Sequence, residues 1–265
     1  MYWQKRFDRE NPDTELEDII IEIRKNNKDF GYRRIYGELR KRGLVVNKKK
    51  VQRIVQKLGL QVTSFTRKSR KYSSYKGNIG RIAPNRIHRR FNTSVPHQKI
   101  TTDTTEFKYY DVDDKGHMAI KKLYLDPFMD MFNSEILSYG IDKHPSPQNV
   151  INALNEAIEI TSDCEYRRTF HSDRGWAYQM KAYSNTLKSN RIYQSMSRKG
   201  NCYDNSLMEN FFGVMKQEMY YGCVYYSYEE LKNAIENYIY YYNHQRIKQK
   251  LSWMSPVEYR LSQVA

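Results

Sequence analysis

The sequence predicts an α/β protein in which a mixed five-stranded sheet with flanking helices follows a small all-α domain. Three observations carry this prediction. Residues 14–58 contain three short stretches with apolar residues at helical spacing. From residue 98 onward, Thr-rich and β-branched runs alternate polar with apolar, as half-buried strands do. Those strand-like runs then trade places with helical stretches up to the region around residue 219. A chain of 265 residues is long enough for one large or two modest domains.

The first domain is expected over residues 1–60. Residues 1–12 are polar and end at Asn-Pro. Leu16, Ile19, Ile20 and Ile23 repeat at helical spacing, with acids in the first turn. A second helix is expected from about 33 to 42, with Ile35 and Leu39 inward and Gly43 as its stop. Asn47 then caps a third, over 48–58, which turns Val51, Ile54, Val55 and Leu58 to one side. Three short helices with a basic third one fit a helix-turn-helix, whose later helix enters the major groove by its N-terminal residues. Lys48, Lys49, Lys50 and Arg53 would then touch DNA. A small helical bundle with solvated lysines is the plainer alternative.

Residues 61–97 predict a basic linker. They carry Arg67, Lys68, Arg70, Lys71, Lys76, Arg81, Arg86, Arg89 and Arg90, and no acid. Such a stretch suits a path along DNA, with Tyr72, Tyr75 and Phe91 able to stack, although a flexible connector would look similar.

The second domain is expected over 98–265, ending in a helical tail. Strands are predicted at 99–109, 119–130 and 135–141, and a helix from Pro147 to about 160. A short strand at 169–172, a helix at 179–187 and a strand at 193–197 follow. Three antiparallel strands followed by alternating helix and strand is the order of an RNase H-like fold.

Three carboxylates organise this domain. Asp103 lies in Thr-Thr-Asp-Thr-Thr-Glu, Asp173 in Phe-His-Ser-Asp-Arg-Gly, and Glu209 on a helix, separated from Asp173 by 35 residues. On that helix Leu207, Met208, Phe211, Val214 and Met215 form an apolar face, while Asn205, Glu209, Gly213 and Lys216 project opposite. Asp204 or Asn205 would cap it. Gly213 suggests close approach of another backbone. Lys216 could reach a phosphate. Phosphodiester cleavage and transfer need an activated oxygen nucleophile and a stabilised leaving oxygen, which two divalent ions about 3.5–4 Å apart can supply. Such hard ions take oxygen ligands, so Asp103, Asp173 and Glu209 are the candidate metal ligands. His171 should point away from its strand neighbours and is read as structural. Asp130 could support the site from behind, Glu106 faces the other side of the sheet, and Asp126 is assigned to a turn or the surface.

Composition agrees. A formal net charge of +15 favours a polyanion. No apolar run approaches the roughly 20 residues of a spanning helix. Cys164, Cys202 and Cys223 form no Cys-x-x-Cys pair, which fits neither a zinc finger nor a disulfide framework and suits a reducing, cytoplasmic compartment.

The motifs together resemble a known family. Thr-Thr-Asp at 101–103, His-Ser-Asp-Arg-Gly at 171–175, Ser-Arg-Lys-Gly-Asn-Cys-Tyr-Asp-Asn at 197–205 and Glu-Asn-Phe-Phe-Gly-Val-Met-Lys at 209–216 are similar to insertion-sequence transposases of the IS-three type. The 35-residue gap matches the D,D(35)E core of retroviral integrases. Tyr-Tyr-Asn-His-Gln-Arg at 241–246, Met-Ser-Pro-Val-Glu-Tyr at 254–259 and Gly-Tyr-Arg-Arg-Ile-Tyr-Gly at 31–37 extend the likeness over nearly the whole chain. The resemblance implies that Asp103, Asp173 and Glu209 are catalytic, with Asn205 and Lys216 as DNA-contacting neighbours. It implies Mg²⁺, with Mn²⁺ an alternative, as two ions. It also implies joining of element 3′ ends to target DNA, action as a homo-oligomer on the nucleoid, and an upstream-frame product as partner or fusion. Two departures stand out. Lys99-Ile100 replace the tryptophan usual before the first acid, and the His-His-Cys-Cys zinc domain of retroviral integrases is absent. A non-catalytic DNA-binding regulator and a nuclease of the same fold are the rival readings.

Overall fold

A computed structural model describes residues 11–66, 82–112, 116–199 and 202–264. The chain forms two compact units. The first runs to Thr66 and takes in Ile247–Met254; the second runs to Arg246 and resumes at Ser255.

The first unit holds α1 (Thr14–Asn26), α2 (Tyr32–Lys41) and α3 (Lys48–Lys57). Ile20, Ile23, Ile35, Leu39, Val51, Ile54 and Val55 are buried together, as their spacing predicts. The Asn47 side chain accepts from the Lys49 amide at 2.8 Å and starts α3. The sequence assigns the tail wholly to the second unit. Instead Ile247 is buried in the helical core, and Trp253 lies over Gly37, where an added Cβ would stand 2.4 Å from the indole. The glycine is what lets the ring settle on the α2 backbone.

The second unit is built on a sheet. Its strands are β1 (Lys99–Thr102), β2 (Thr105–Val112), β3 (Met118–Asp130), β4 (Ile136–Asp142), β5 (Thr169–Ser172) and β6 (Tyr193–Met196). The order is β2-β3-β1-β5-β6, with β4 on the other side of β3. Strands β1 and β2 correspond to the single strand predicted at 99–109. Thr102 pairs with Phe128 and Thr105 with Leu125, so one register spans the break at Asp103-Thr104. Five lanes therefore result, antiparallel among β1–β4 and parallel from β1 through β5 to β6.

Helices cover both faces. Helices α7 (Ser206–Met215) and α8 (Tyr228–His244) pack Met208, Phe211, Leu231 and Ile235 on Phe107, Leu123 and Leu125. On the other face α4 (Pro147–Ile160) and α6 (Lys181–Ser189) bury Leu154 and Leu187 with Ile100, Phe128 and Phe170. The helix expected at 179–187 is two helices, α5 (Trp176–Gln179) and α6, broken at Met180. Helix α7 continues as a π-helical turn, Lys216–Tyr220, before α8. The tail ends in α9 (Pro256–Val264).

Residues 82–97 are predicted as linker but pack on the second unit. Ile87 is buried, Ile82 and Ala83 lie against the core, and the Arg86 amide donates to Ser195 Oγ at 2.9 Å. Three apolar residues within six positions anchor what the basic composition conceals. Among the described residues no helix is long and apolar enough to cross a membrane.

Candidate active site

The interrupted strand makes the first half of the site. Thr104 diverts its amide to Asp103 Oδ1 at 2.9 Å and its hydroxyl to Asp126 Oδ1 at 2.5 Å. Short polar side chains that capture backbone donors in this way compete with a regular ladder. Asp103 therefore sits at a kink, almost fully buried, beside the parallel pairing of β1 with β5.

Asp173 follows β5. Its Oδ1 accepts from the Gly175 amide at 2.6 Å. A Cβ on Gly175 would stand 2.9 Å from that oxygen and 3.3 Å from the Tyr178 ring, so a side chain there would displace the carboxylate. Glu209 is half-buried in the first turn of α7. Asn205 fixes where that helix starts. Its Oδ1 accepts from the Thr101 hydroxyl at 2.7 Å and its amide donates to the Thr102 carbonyl at 3.3 Å.

The electrostatics tie the three acids together. Burial, then the charge of Asp173, then that of Glu209 push the Asp103 carboxyl well above the usual carboxylate range, against the Thr104 amide, which lowers it. Burial also raises Glu209. Tyr178 closes the floor, its hydroxyl 3.3 Å from Thr104 Oγ1, and burial followed by Asp126, Asp103 and Asp173 holds its proton firmly. Lys216 donates to Thr105 Oγ1 at 2.7 Å and lies 5.0 Å from the Phe107 ring centroid. Burial lowers its pKa, while Glu106 and Asp103 act to raise it.

Among the described residues, no three His, Cys, Asp or Glu side chains already stand as a metal-holding cluster. Like charges that repel one another do not draw into one shell unaided. The donor set is nevertheless of the right chemistry, being oxygen-only carboxylates that gain most from a hard divalent cation.

Other predicted positions come out differently. His171 is fully buried and bridges elements as expected. Its Nε2–H donates to the Asp204 carbonyl at 2.9 Å, so Nδ1 accepts from Ser195 Oγ at 2.8 Å. Burial lowers its pKa to about 4, keeping it neutral. Asp126 is neither turn nor surface. It is buried in β3 between Thr104 and Asn149, with a pKa raised by burial to about 6. Asp130 accepts the His97 and Phe132 amides. Neither Asp204 nor Asn205 caps α7 with its side chain. Asn205 is predicted to touch DNA, yet both ends of its buried amide are used inside the protein. Gly213 meets no atom within 4 Å of a built Cβ, so among the described residues no backbone approaches it. In the helical unit Lys48 and Lys49 are exposed, whereas Asp13 pairs with Lys50 at 2.5 Å and Arg53 at 3.7 Å. Arg67, Lys68, Arg70 and Lys71 lie outside the described residues.

Sequence reasoning misses the buried Asp204 hub. Its carboxylate accepts from the Arg198 amide and guanidinium, from Arg89 Nε and from Asn85 Nδ2, each at 3.0 Å. The signal is present in the 197–205 motif, where an arginine and an aspartate stand six positions apart.

Comparison with known proteins agrees with this architecture. Residues 94–202 and 209–263 match models of the integrase core domain, and residues 10–69 match an HTH-like domain. An uncharacterized transposase-like protein of Haemophilus influenzae is 46% identical over 81% of this chain and 93% of its own. The putative transposase InsK for insertion sequence element IS150, from Escherichia coli, is 39% identical over 98% of this chain and 87% of its own. The chain belongs to the IS3-type insertion-sequence transposases. It is thus a DNA transposase, a polynucleotidyl transferase with an integrase core behind an HTH-like domain. The HTLV-2 integrase catalytic core domain, solved in complex with magnesium, overlaps 62% of this chain and 97% of its own at 19% identity and a TM-score of 0.46.

Proposed function

We propose that Asp103, Asp173 and Glu209 are the catalytic carboxylates of this transposase and that they hold two Mg²⁺ ions, or Mn²⁺ in their place. The observation that carries this reading is the raised Asp103 carboxyl, whose causes after burial are Asp173 and then Glu209. Asp173 at a strand end and Glu209 on a helix act on Asp103 at a strand break by repulsion, which a cation would relieve. Bound ions would lower the pKa of an attacking oxygen and stabilise the leaving one. The chain's own residues do the rest. Thr104 and Gly175 amides orient one oxygen each of Asp103 and Asp173. Asn205 holds α7, and with it Glu209, against β1. Lys216 supplies a cation beside Thr105 for a neighbouring phosphate.

In the reaction, water attacks a phosphodiester at the element's end and releases a 3′-hydroxyl. That hydroxyl then attacks a phosphodiester of the target, so one P–O bond forms as another breaks in each step. The terminal inverted repeats and target DNA are the substrates. Lys48 and Lys49 lead the groove-entering helix of the HTH-like domain. The active form is a homo-oligomer on paired ends, working with or fused to an upstream-frame product.

The test is joining of a labelled element-end oligonucleotide to a plasmid in Mg²⁺ or Mn²⁺, with Glu209→Gln as control. Metal-dependent joined product, lost in Glu209→Gln, is expected. Nicking without joining would favour nuclease chemistry or the need for an upstream-frame partner, and tight binding with neither activity would favour a regulatory role.

A further inference from the structure

We infer that the outer edge of β6 carries a second DNA site, a phosphate-backbone clamp built from Arg86, Arg167 and Arg191 around Tyr193. The guanidinium carbon of Arg167 lies 3.6 Å from the Tyr193 ring centroid, and that of Arg86 lies 4.2 Å from it. Two guanidinium groups this close to one centroid cannot share a face without overlapping, so they occupy the two faces of the ring. Arg167 Nε also donates to the Arg191 carbonyl at 3.1 Å, which ties the third arginine to the pair. Arg191 itself takes a left-handed backbone conformation, with φ of 56°.

The charge pattern distinguishes this cluster from its neighbours. Arg89 and Arg198, a few residues away in sequence, are both paired with Asp204. Arg86, Arg167 and Arg191 are exposed, and none has a carboxylate partner among the described residues. Beside them is a cleft of about 350 Å³ lined by Arg167, Arg168, Arg191 and Asn190, with Glu165 as its only acid. Guanidinium groups gathered on an aromatic ring and left without counter-charge are set for phosphate oxygens, which their fork matches in pairs. The ring keeps both planes fixed, so little side-chain freedom is lost on binding.

The position argues for duplex DNA beyond the scissile phosphate. Tyr193 pairs with Thr169, four residues before Asp173. At about 3.3 Å per residue, that is roughly 13 Å along the strand from the acids. One phosphate cannot bridge that distance, whereas a duplex running past the site presents phosphates along its whole length. This inference rests on the transposase reading for its partner, but not on the catalytic acids.

The test is binding of a fluorescein-labelled duplex of unrelated sequence to the full chain across a salt series. Arg86→Ala with Arg167→Ala should weaken binding about tenfold at moderate salt and lower the slope of log affinity against log salt by about two. Arg191→Ala alone should lower it by about one. Replacing both stacked arginines by lysine should keep most of the slope. Unchanged affinity and slope in the folded alanine variants would overturn the inference, as would a wild-type chain with no duplex affinity. If the double variant fails to fold, Arg191→Glu, which leaves the stack intact, decides the matter by the same slope. Joining by Glu209→Gln is measured separately, on the element-end oligonucleotide. Loss of joining with an intact arginine effect, or the reverse, therefore separates failure of the catalytic assignment from failure of the clamp.

Discussion

Two buried aspartates in this transposase are held in opposite ways. Asp204 has no exposed side-chain surface, and two arginines, a backbone amide and Asn85 surround it. Its hydrogen bonds from Arg198 hold the carboxyl far below the usual range, against the cost of burial. Asp103 is buried nearly as well, yet Asp173, Glu209 and Asp126 crowd it, the neighbouring cation Lys216 bonds Thr105 instead, and burial and repulsion push it up. Burial acts in the same direction in both places, raising the carboxyl. The difference lies in whether the protein supplies the countercharge itself. At Asp204 it does, and the result is a finished strut between residues 85–89 and the start of α7. At Asp103 the neighbouring acids outweigh Lys216, and the result is a place suited to an incoming cation.

The largest effect should come from breaking the uncompensated side. Asp103→Asn should lower joining by at least about a thousandfold, or about 4 kcal/mol in barrier. The same change should leave thermal stability equal or higher at neutral pH, because it removes a buried like charge. A variant that lost its fold along with its activity would place Asp103 with Asp204, as a structural residue.

Breaking the compensated side should do the reverse. Asp204→Ala strands two half-exposed guanidinium groups and a part-buried backbone amide, and should cost about 2–3 kcal/mol in denaturant unfolding at neutral pH. The pH dependence sharpens the contrast. A carboxyl whose folded pKa is depressed contributes stability above the ordinary carboxylate value, and that contribution is lost as pH falls through the folded value. The gap between wild type and Asp204→Ala should therefore narrow in acid. Asp103 and Asp126 have raised folded values, so their contribution is present at low pH and lost as pH rises. For Asp126 that loss falls between the ordinary carboxylate value, about 4, and about 6. Asp126→Asn should flatten the stability profile in that window, measured by unfolding at each pH.

Much of this contrast is legible in the sequence. Asp103, Asp173 and Glu209 stand in local patterns that mark a strand, a strand end and a helix, and period and spacing suffice to assign each to its element. Asp204 reads only as a helix cap, because Asn85 and Arg89 lie 119 and 115 positions away and only Arg198, six positions off, leaves a local trace. Asp126 reads as a turn residue for a similar reason. Its partners Thr104 and Asn149 sit 22 and 23 positions away. Trp253 over Gly37 is the extreme case, since residues at opposite ends of the chain share one core. Periodicity reports which face a residue takes. It does not report what lies against that face.

The smallest effect tests how Glu209 is kept on the acid side of the comparison. Thr101 and Asn205 join β1 to the start of α7 through one short hydrogen bond, 2.7 Å long and fully buried. Thr101→Val keeps the shape and removes the donor. The Asn205 carbonyl oxygen then lacks that partner, at a cost of about 1 kcal/mol in unfolding. If the bond serves only stability, joining should fall no further than the folded fraction does. If it sets where Glu209 stands, joining should fall about tenfold while the protein remains folded, since a small misplacement of a catalytic group is felt strongly in rate. Charge on the acids is unchanged by this variant, so a selective loss would locate part of the rate in the alignment of α7 and not in the electrostatics of Asp103.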